Sequence, residues 1–479
     1  MLDQVLPIFA AACAHVAING LYKGGPDHIG APTCEETNML YEAHSGDITV
    51  VAGGDTMITR KLSVFREEPF MSLVKLFRDA DVGFTNLEML MHEFEHSPGQ
   101  AGGTYTGSDP RNLAELEWAG INLVSCANNH SYDYGESGVL TNLRHLKASN
   151  LVYAGTGQNL SEAGAPGYLE TPKGRVALIS ASSTFSDGGR ALDQRPDLKG
   201  RPGLNPLRFN THNTVDRTAF DELRRISASL GLEAQKEALR RFRWSGAIPE
   251  DTDTEFHFMG DRFQLGEEFK VETKLNSSDL KGNLKWINDA RRMADWVIVS
   301  VHCHESGKHR DEPPAFLEAF ARAAIDEGVD MFFGHGPHVT RGIEIYKGKP
   351  ILYSLGNFIF QNDTVRWQPS YNFDQVKLAL DATPADFYDA RSEKDTRGFP
   401  SDPIFWESFV VECEFKSKEL AGLTLHPVVL GHDAPRAQRG RPLLAGPDDG
   451  RKTLERLQRL SKPYGTEIQV DKGVGYVKL

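Results

Sequence analysis

Five apolar, strand-like runs that each end in polar residues constrain the fold of this 479-residue chain more than any other feature. The runs start at Ile48, Val82, Ile121, Trp296 and Val329. Patterns of helical periodicity separate most of them, at residues 72–79, 113–118, 138–147, 284–293 and 315–325. Strands that alternate with helices favour an α/β fold with largely parallel strands, whose carboxyl ends converge on one crevice. We therefore expect the polar residues at the run ends to share a single cleft.

The residues that follow these runs are of the types that hold transition metals. The runs lead into Gly-Gly-Asp at 53–55, Asn-Leu-Glu at 86–88, Asn-Asn-His at 128–130, His-Cys-His-Glu at 302–305 and Gly-His-Gly-Pro-His at 334–338. In the last motif the proline prevents a helix and the glycines allow a sharp turn, so that two neutral imidazoles can point at one metal ion. The run ends therefore predict a metal site.

These motifs occur in the order found in a known family. The segments at 54–57, 86–88, 128–135, 334–338 and 353–358 resemble the CapA family, and the likeness extends over residues 48–361. That family is named for capsule and poly-γ-glutamate synthesis and belongs to the calcineurin-like metallophosphoesterase superfamily. The resemblance implies an α/β fold, a four-layer αββα sandwich with a two-metal site between its sheets.

The resemblance also implies the residues of that site, which would hold one or two divalent ions of Mn, Fe or Zn. The implied ligands are Asp55, Glu88, Asn129, His302, His335 and His338. His130 would act as a general acid, and Asp133 would orient it. Met57 stands where the superfamily's Asp-x-His motif has histidine, so a single metal ion is an alternative.

Further side chains are predicted to contact the substrate. Because alternate strand residues face opposite sides, His302 and His304 compete for one role, and we assign His302 to metal and His304 to substrate. Asn357 is expected to line the cleft. A loop rich in Pro and Gly contributes three arginines, Arg190, Arg201 and Arg208. Their guanidinium groups are predicted to bind a carboxylate or phosphate, with salt bridges to loop carboxylates as the alternative.

The pattern divides the chain into a helical arm at residues 1–47, a main domain at 48–430, and a C-terminal loop and helix at 431–479 packed on that domain. Residues 185–277 are predicted to form an inserted cap, with helices at 215–230 and 232–242 and alternating residues after them. The stretch at 363–403 is rich in Asp, Arg and Pro, and loops of that length are often functional lids.

The net charge, the N-terminal apolar run and the cysteines limit the kinds of partner and the cellular compartment that we expect for this chain. A formal charge of −13 disfavours nucleic acid or an anionic membrane as a general partner. The apolar run at 5–17 has Asp3 before it and Pro7 within it, so we expect neither a signal peptide nor a membrane span. Five cysteines without repeated spacing favour a reducing, cytoplasmic setting. The expected partner is an anionic small molecule or peptide-like substrate, and a homo-oligomer stays open.

The leading hypothesis is a soluble metal-dependent hydrolase that acts through a metal-activated hydroxide. Its bond would be a phosphoester or an amide of the γ-glutamyl type, and the sequence does not decide between them. One alternative is an isomerase or epimerase that uses His130 as acid and base. Another is a protein that binds or assembles poly-γ-glutamate without catalysis, although a binding role does not require Asn129 and His130 together.

Overall fold

The computed structural model describes residues 46–100, 103–242 and 249–479. The arm predicted at 1–47 therefore lies outside the described residues except for its last two positions. The helices are α1 (Glu68–Asp79), α2 (Leu113–Ala119), α3 (Gly135–Lys147), α4 (Leu160–Gly164), α5 (Arg217–Ser229), α6 (Leu232–Phe242), α7 (Ser277–Met293), α8 (Ala315–Glu327), α9 (Ser370–Gln375), α10 (Pro384–Arg391) and α11 (Pro447–Ser461).

The strands are β1 (Ile48–Met57), β2 (Val82–Leu87), β3 (Leu90–Met91), β4 (Gly107–Ser108), β5 (Leu123–Ser125), β6 (Val152–Ala154), β7 (Thr156–Gly157), β8 (Gly167–Thr171), β9 (Gly174–Ser182), β10 (Gly203–Leu204), β11 (Phe209–Val215), β12 (Glu255–Phe258), β13 (Asp261–Leu265), β14 (Lys270–Leu275), β15 (Trp296–His302), β16 (Met331–His335), β17 (Ile343–Tyr346), β18 (Lys349–Leu352), β19 (Asn357–Phe360), β20 (Glu407–Lys416), β21 (Glu419–Val429), β22 (Leu443–Leu444), β23 (Ile468–Asp471) and β24 (Val474–Val477). All five apolar runs of the sequence contain strands.

Two large sheets carry these runs. The first has the order β23-β24-β21-β20-β1-β2-β5-β6 and contains the parallel strands β1, β2, β5 and β6. The second has the order β17-β18-β16-β15-β9-β8, and β9, β15, β16 and β18 run parallel within it. Helices connect most of the parallel strands, as the alternating pattern predicted.

The sheets pack face to face and are covered by helices on their outer faces. Between the sheets, Phe84 of β2 stacks on Phe333 of β16 with ring centroids 5.2 Å apart. Phe77 of α1 belongs to the cluster on the outer face of the first sheet. Ile287 of α7 and Phe320 of α8 belong to the cluster on the outer face of the second. The order of layers is therefore α, β, β, α, which confirms the predicted fold class.

The inserted region at 185–277 contains a small sheet of its own. Its strand order is β12-β13-β11-β14, and Val215, Phe220 and Phe256 form a local core with α5 nearby. At the C-terminus, residues 431–479 supply more than a loop and a helix, because β23 and β24 extend the first sheet. The helices of the described residues include none that combines the length and apolar character needed to cross a bilayer.

Residues 363–403, predicted as a long irregular loop, contain the short helices α9 and α10. Val365, Phe373, Phe387 and Tyr388 form a buried apolar cluster within this segment. The segment is therefore a packed unit with its own small core.

Candidate metal centre

The carboxyl ends of strands from both sheets meet at one place. Asp55 near the end of β1 pairs in register with Asn86 of β2 and, on its other side, with Asn357 of β19. His302 and His335 are paired residues at the ends of β15 and β16 in the second sheet. Because the two sheets face each other, these ends bring carboxylate and imidazole groups together between them.

Close backbone contacts fix the carboxylate of Asp55. Gly54 has no room for a side chain, since a Cβ there would lie 1.8 Å from the carbonyl oxygen of Gly356. The N–H of Asp55 donates to that same carbonyl at 2.9 Å. Its Oδ1 accepts a hydrogen bond from Asn86 Nδ2 at 2.8 Å, and its Oδ2 accepts one from the N–H of Gly336 at 3.0 Å. The carboxylate therefore has one orientation, directed toward the second sheet.

The Gly-His-Gly-Pro-His loop places two imidazoles against this carboxylate. Gly336 has φ 115°, a conformation that favours glycine, and His338 has φ 61°, which costs a residue with a Cβ about 1–2 kcal/mol. His335 Nδ1 lies 3.6 Å from Asp55 Oδ1, and His338 Nδ1 lies 3.5 Å from Asp55 Oδ2. Strain of this kind persists where the surrounding structure dictates the conformation, which is typical of functional sites.

Six side chains form three overlapping groups whose donor atoms lie within 4.8 Å of one another. The groups are Asp55 with His302 and His335, Glu88 with His302 and His304, and Asp55 with Glu88 and His338. All of these residues are buried except His304, which is half-buried. Mixed carboxylate and imidazole donors suit Mn, Fe or Zn.

Short contacts between ring nitrogens bring the imidazoles of the cluster to within the distance at which they share a proton or a cation. His302 Nδ1 lies 3.1 Å from His335 Nδ1, and His302 Nε2 lies 2.9 Å from His304 Nε2. Two imidazole lone pairs at such distances repel each other unless a proton or a shared cation lies between them. His335 Nε2 lies 2.5 Å from Ser300 Oγ, which fixes that ring and leaves Nδ1 facing Asp55.

The electrostatics of burial favour the neutral forms of both kinds of group. Burial raises the pKa of Asp55 to about 7. Burial, and then the charge of Asp55, raise the pKa of Glu88 well above its usual value. Burial lowers the pKa of His335 and of His338 to about 3 and that of His302 well below its usual value. A divalent cation would stabilise both carboxylates as anions and would use the neutral imidazoles as ligands.

Unpartnered oxygen atoms point to the same conclusion. Both carboxylate oxygens of Glu88 are buried without a hydrogen-bond partner among the described residues, and so is Oδ1 of Asn129. Buried polar atoms are nearly always hydrogen bonded, so three such oxygens at one cleft need an explanation. Glu88 Oε1 lies 3.7 Å from Nε2 of both His302 and His338. The donor set of carboxylates and imidazoles, with its unpartnered oxygens, therefore fits a divalent metal ion.

His130 and Asp133 form a hydrogen-bonded pair beside the cluster. His130 Nδ1 donates to Asp133 Oδ2 at 2.8 Å, and the same oxygen accepts the N–H of Thr106 at 2.8 Å. The backbone N–H of His130 donates to Asn128 Oδ1 at 3.1 Å. This arrangement holds the proton on Nδ1 and leaves Nε2 free to exchange a proton.

A cavity of about 530 Å³ opens onto the cluster. Asn129, His130, His304 and His338 line the side next to the cluster. The segment at 363–403 supplies many of the other lining residues, among them Arg391 and Phe399. A volume of this size is typical of sites for small-molecule ligands.

Two sequence assignments change in the structure. His302 and His304 do not exclude each other, because β15 ends at His302 and strict alternation of faces ends with it. Both rings join the cluster, and His304 also lines the cavity. Asn357 lies behind the cluster and not on the cavity, since its Oδ1 accepts from His338 Nδ1 at 2.9 Å and its Nδ2 donates to the carbonyl of Phe405. It orients a metal ligand.

The arginine loop does not line this cavity. Arg208 forms a two-point ion pair with Asp279, at 2.8 and 2.7 Å, which is the salt-bridge alternative. Arg201 donates to the backbone carbonyl of Arg190 at 2.8 Å. The arginines that do line the cavity come from other segments, and no motif marked them.

Sequence reasoning also missed two amides. Asn86 donates to Asp55 and lies 3.3 Å from His302 Nδ1, so it links the sheets across the cluster. Asn128 donates to the carbonyl of Leu87 at 2.8 Å and holds the turn that carries Asn129. The sequence did contain a signal for both amides, because Asn86 and Asn128 lie within the motifs, one or two residues from a predicted ligand.

A separate group of His92, Glu95 and His96 also has donor atoms within 4.8 Å of one another. Nδ1 of His92 accepts the N–H of Phe94 at 2.8 Å, so the proton of the neutral ring lies on Nε2. That nitrogen therefore has no lone pair for a metal, and Arg144 already pairs with Glu95 at 3.1 Å. This group is the poorer metal site of the two.

Comparison with known proteins identifies relatives of the whole chain. The model of the family described as bacterial capsule synthesis protein PGA_cap matches residues 49–362. The uncharacterized protein y4sH of Sinorhizobium fredii is 34% identical over 455 residues, which cover 90% of this chain and 93% of that protein.

More distant similarities were also found. The capsule biosynthesis protein CapA of Bacillus anthracis is 24% identical over 292 residues, 60% of this chain and 53% of that protein. Among solved structures, a putative 5'-nucleotidase from Staphylococcus aureus aligns with a TM-score of 0.33 and 10% identity, over 86% of this chain and 58% of that one. At this TM-score the structural likeness does not bear on function.

Proposed function

We propose that this chain, which belongs to the family of the bacterial capsule synthesis protein PGA_cap, is a metal-dependent hydrolase. The observation that carries the proposal is the unpartnered carboxylate of Glu88, buried among the imidazoles of His302, His304 and His338. A protein that only binds a polymer has no need to keep a carboxyl group in so costly an environment.

The proposed ligands are the sequence-derived set together with one addition. They are Asp55, Glu88, Asn129, His302, His335, His338 and, from the structure, His304. A divalent ion held there would supply Lewis acidity and would lower the pKa of a bound water. The three donor groups share residues, so the number of bound ions equals the number of groups that hold an ion at the same time.

The remaining chemistry falls to the His130–Asp133 pair. With its proton held on Nδ1 by Asp133, His130 offers Nε2 to the cavity. That nitrogen can accept a proton from the attacking water and then return it to the leaving group, so one residue serves both steps. Asp133 fixes the orientation of the ring through this hydrogen bond.

We propose an amide bond of the γ-glutamyl type as the bond cleaved. One relative supports this choice by name, the PGA biosynthesis protein CapA of Bacillus subtilis, which is 35% identical over 109 residues, 22% of this chain and 28% of that protein. An amide leaving group must be protonated to depart, and His130 beside the cavity is suited to that step. A phosphoester, the other bond that this chemistry permits, is the comparison substrate.

The test compares turnover with metal content. The purified protein is assayed by mass spectrometry on γ-linked glutamate oligomers and by absorbance on a nitrophenyl phosphate. Its metal is measured in parallel for the wild type, His335→Ala and a control, His426→Ala, whose ring pairs with Glu412 on the first sheet at 3.1 Å. We expect His335→Ala to lose both metal and activity and His426→Ala to keep both. Stoichiometric metal in His335→Ala, or cleavage of neither substrate by a metal-loaded wild type, contradicts the proposal.

A further inference from the structure

The cavity beside the metal cluster carries more positive than negative charge, although the protein as a whole is acidic. Five arginines line it, against three aspartates. They are Arg310, Arg391, Arg397, Arg436 and Arg439. In a chain with a formal charge of −13, such a concentration of cations requires a local reason.

Three of these arginines have carboxylate partners within the protein. Arg439 pairs with Asp395 at 3.0 Å and also with Asp363. Arg436 pairs with Asp389 at 2.6 Å. Arg397 pairs with Glu393, four residues before it, at 3.1 Å. Their charges are compensated, so they hold the wall of the cavity together.

The other two arginines have no carboxylate partner among the described residues. Arg310 donates to the carbonyl of Pro337 at 3.3 Å and lies 5.4 Å from the ring of Phe405. Arg391, at the end of α10, donates to Thr104 Oγ1. Both residues are exposed in part and line the cavity.

The position of Arg310 is held by a second arginine that is itself fully buried. Arg341 donates to the carbonyl oxygens of Cys303, Glu305 and Arg310, at 3.4, 2.6 and 3.2 Å. These three hydrogen bonds fix the loop from Cys303 to Arg310, which carries His304. The guanidinium of Arg310 therefore lies beside the metal ligands in a preorganised loop, and its contact with Pro337 places it next to His338.

We propose that Arg310 and Arg391 form a subsite for an oxyanion of the substrate, a carboxylate or a phosphate, held in the cavity beside the metal cluster. The guanidinium fork matches both groups and can bind either with two hydrogen bonds. The two arginines come from different segments, the loop after β15 and the helix α10, so one ligand would join the lid segment to the catalytic domain. The subsite would give the proposed hydrolase an anionic substrate. That the bound anion belongs to a substrate rests on the proposed function, whereas the binding of the anion does not.

The test measures binding instead of turnover. Isothermal titration with glutarate and with inorganic phosphate is carried out on the full chain, both loaded with zinc and after treatment with chelator. Glutaramide, the uncharged diamide of glutarate, serves as the neutral probe. We expect Arg310→Gln and Arg391→Gln each to raise the Kd for the anions by about tenfold or more, in both forms of the protein. Arg310→Lys and Arg391→Lys, which keep the charge, should lie between the wild type and the Gln variants.

The matched control is Arg397→Gln, which removes a cavity arginine that is already paired, and its Kd should stay within about twofold of the wild type. Tighter binding of phosphate would identify a phosphorylated substrate, and tighter binding of glutarate a carboxylate one. The subsite is ruled out if the wild type binds neither anion, if glutaramide binds as well as glutarate, or if the folded Gln variants bind like the wild type. Metal content is measured on the same samples. Arginine-dependent binding by a protein that takes up no zinc when zinc is supplied would leave the subsite standing and refute the metal-dependent hydrolase.

Discussion

Replacing Glu88 by Gln should stabilise the metal-free protein and destabilise the metal-loaded one relative to the wild type. Glu88 is fully buried, and neither of its oxygens has a hydrogen-bond partner among the described residues. Without metal, the group must either stay charged in a poor environment or take up a proton. Glutamine has the same shape and removes that cost, at the expense of a metal ligand.

The size of the effect follows from the ordinary pKa of the group, 4.5, and its raised value in the folded protein. Holding a proton at pH 7 on a carboxyl with an unfolded pKa of 4.5 costs up to about 3 kcal/mol. The folded pKa is the higher one, so the cost is largest at neutral pH and disappears as the pH falls to about 4.5. The advantage of Glu88→Gln in chelator should therefore shrink to about 1 kcal/mol near pH 5.5.

Urea unfolding at pH 7 measures the free energy of unfolding with chelator, where Glu88→Gln should raise it, and with zinc or manganese, where Glu88→Gln should lower it. With metal at about 100 times its Kd, the wild type should gain about 2.7 kcal/mol and the Gln variant much less. Glu115→Gln is the matched control, because the Glu115 carboxylate is buried but accepts hydrogen bonds from the N–H groups of Leu62 and Ser63 at 2.9 and 2.7 Å. That control should lose about 1–3 kcal/mol with or without metal. If Glu88→Gln behaves like Glu115→Gln, or keeps the stabilisation by metal, the reasoning fails.

Three further substitutions probe other parts of the centre. His130→Gln should keep its metal and lose turnover by about 10²–10⁴-fold, whereas loss of metal by elemental analysis would make His130 a ligand. Asn357→Ala removes the partner of His338 Nδ1 and should weaken metal binding by about 10–100-fold in a chelator competition, and unchanged affinity would remove its orienting role. Gly54→Ala should cost roughly 1–3 kcal/mol in thermal unfolding, because its Cβ would overlap Gly356, while Gly446→Ala, with nothing within 4 Å, should be tolerated.

The layers of the fold were predictable because they depend on periodicity. Each of the five apolar runs contains a strand, and α1, α2, α3, α7 and α8 extend the predicted helical segments by a few residues. Strand order was less accessible, because the pairing of β1 with β20 joins residues more than 350 positions apart, and local sequence carries no record of such a contact. The strands β23 and β24 were missed because they are short and half-exposed; they pair with each other, and β24 alone pairs with β21.

The metal cluster was predictable where ligand types stand at strand ends, and not where a side chain acts through a neighbour. Asp55 and His335 lie near or at the end of a parallel strand, and they meet because the two sheets face each other with these strand ends together. The role of Asn357 depends on the rotation of its side chain toward His338, which the backbone pattern does not determine. The inclusion of His304 depends on where β15 ends, and strand ends are the least regular part of any sheet.

The arginines show why local composition does not locate a candidate anion site. Arg208 lies in a loop dense in arginine, glycine and proline, and the density suggested a binding role, yet Asp279 neutralises its guanidinium. No local sequence pattern distinguishes Arg310 and Arg391 from surface arginines. Their significance comes from what the folded protein leaves unpaired: a cation that the protein itself compensates stabilises the fold, whereas one that stays uncompensated beside a cavity can bind a ligand. Counting partners in three dimensions, and not charges along the chain, is therefore what separates structural arginines from those that define the substrate.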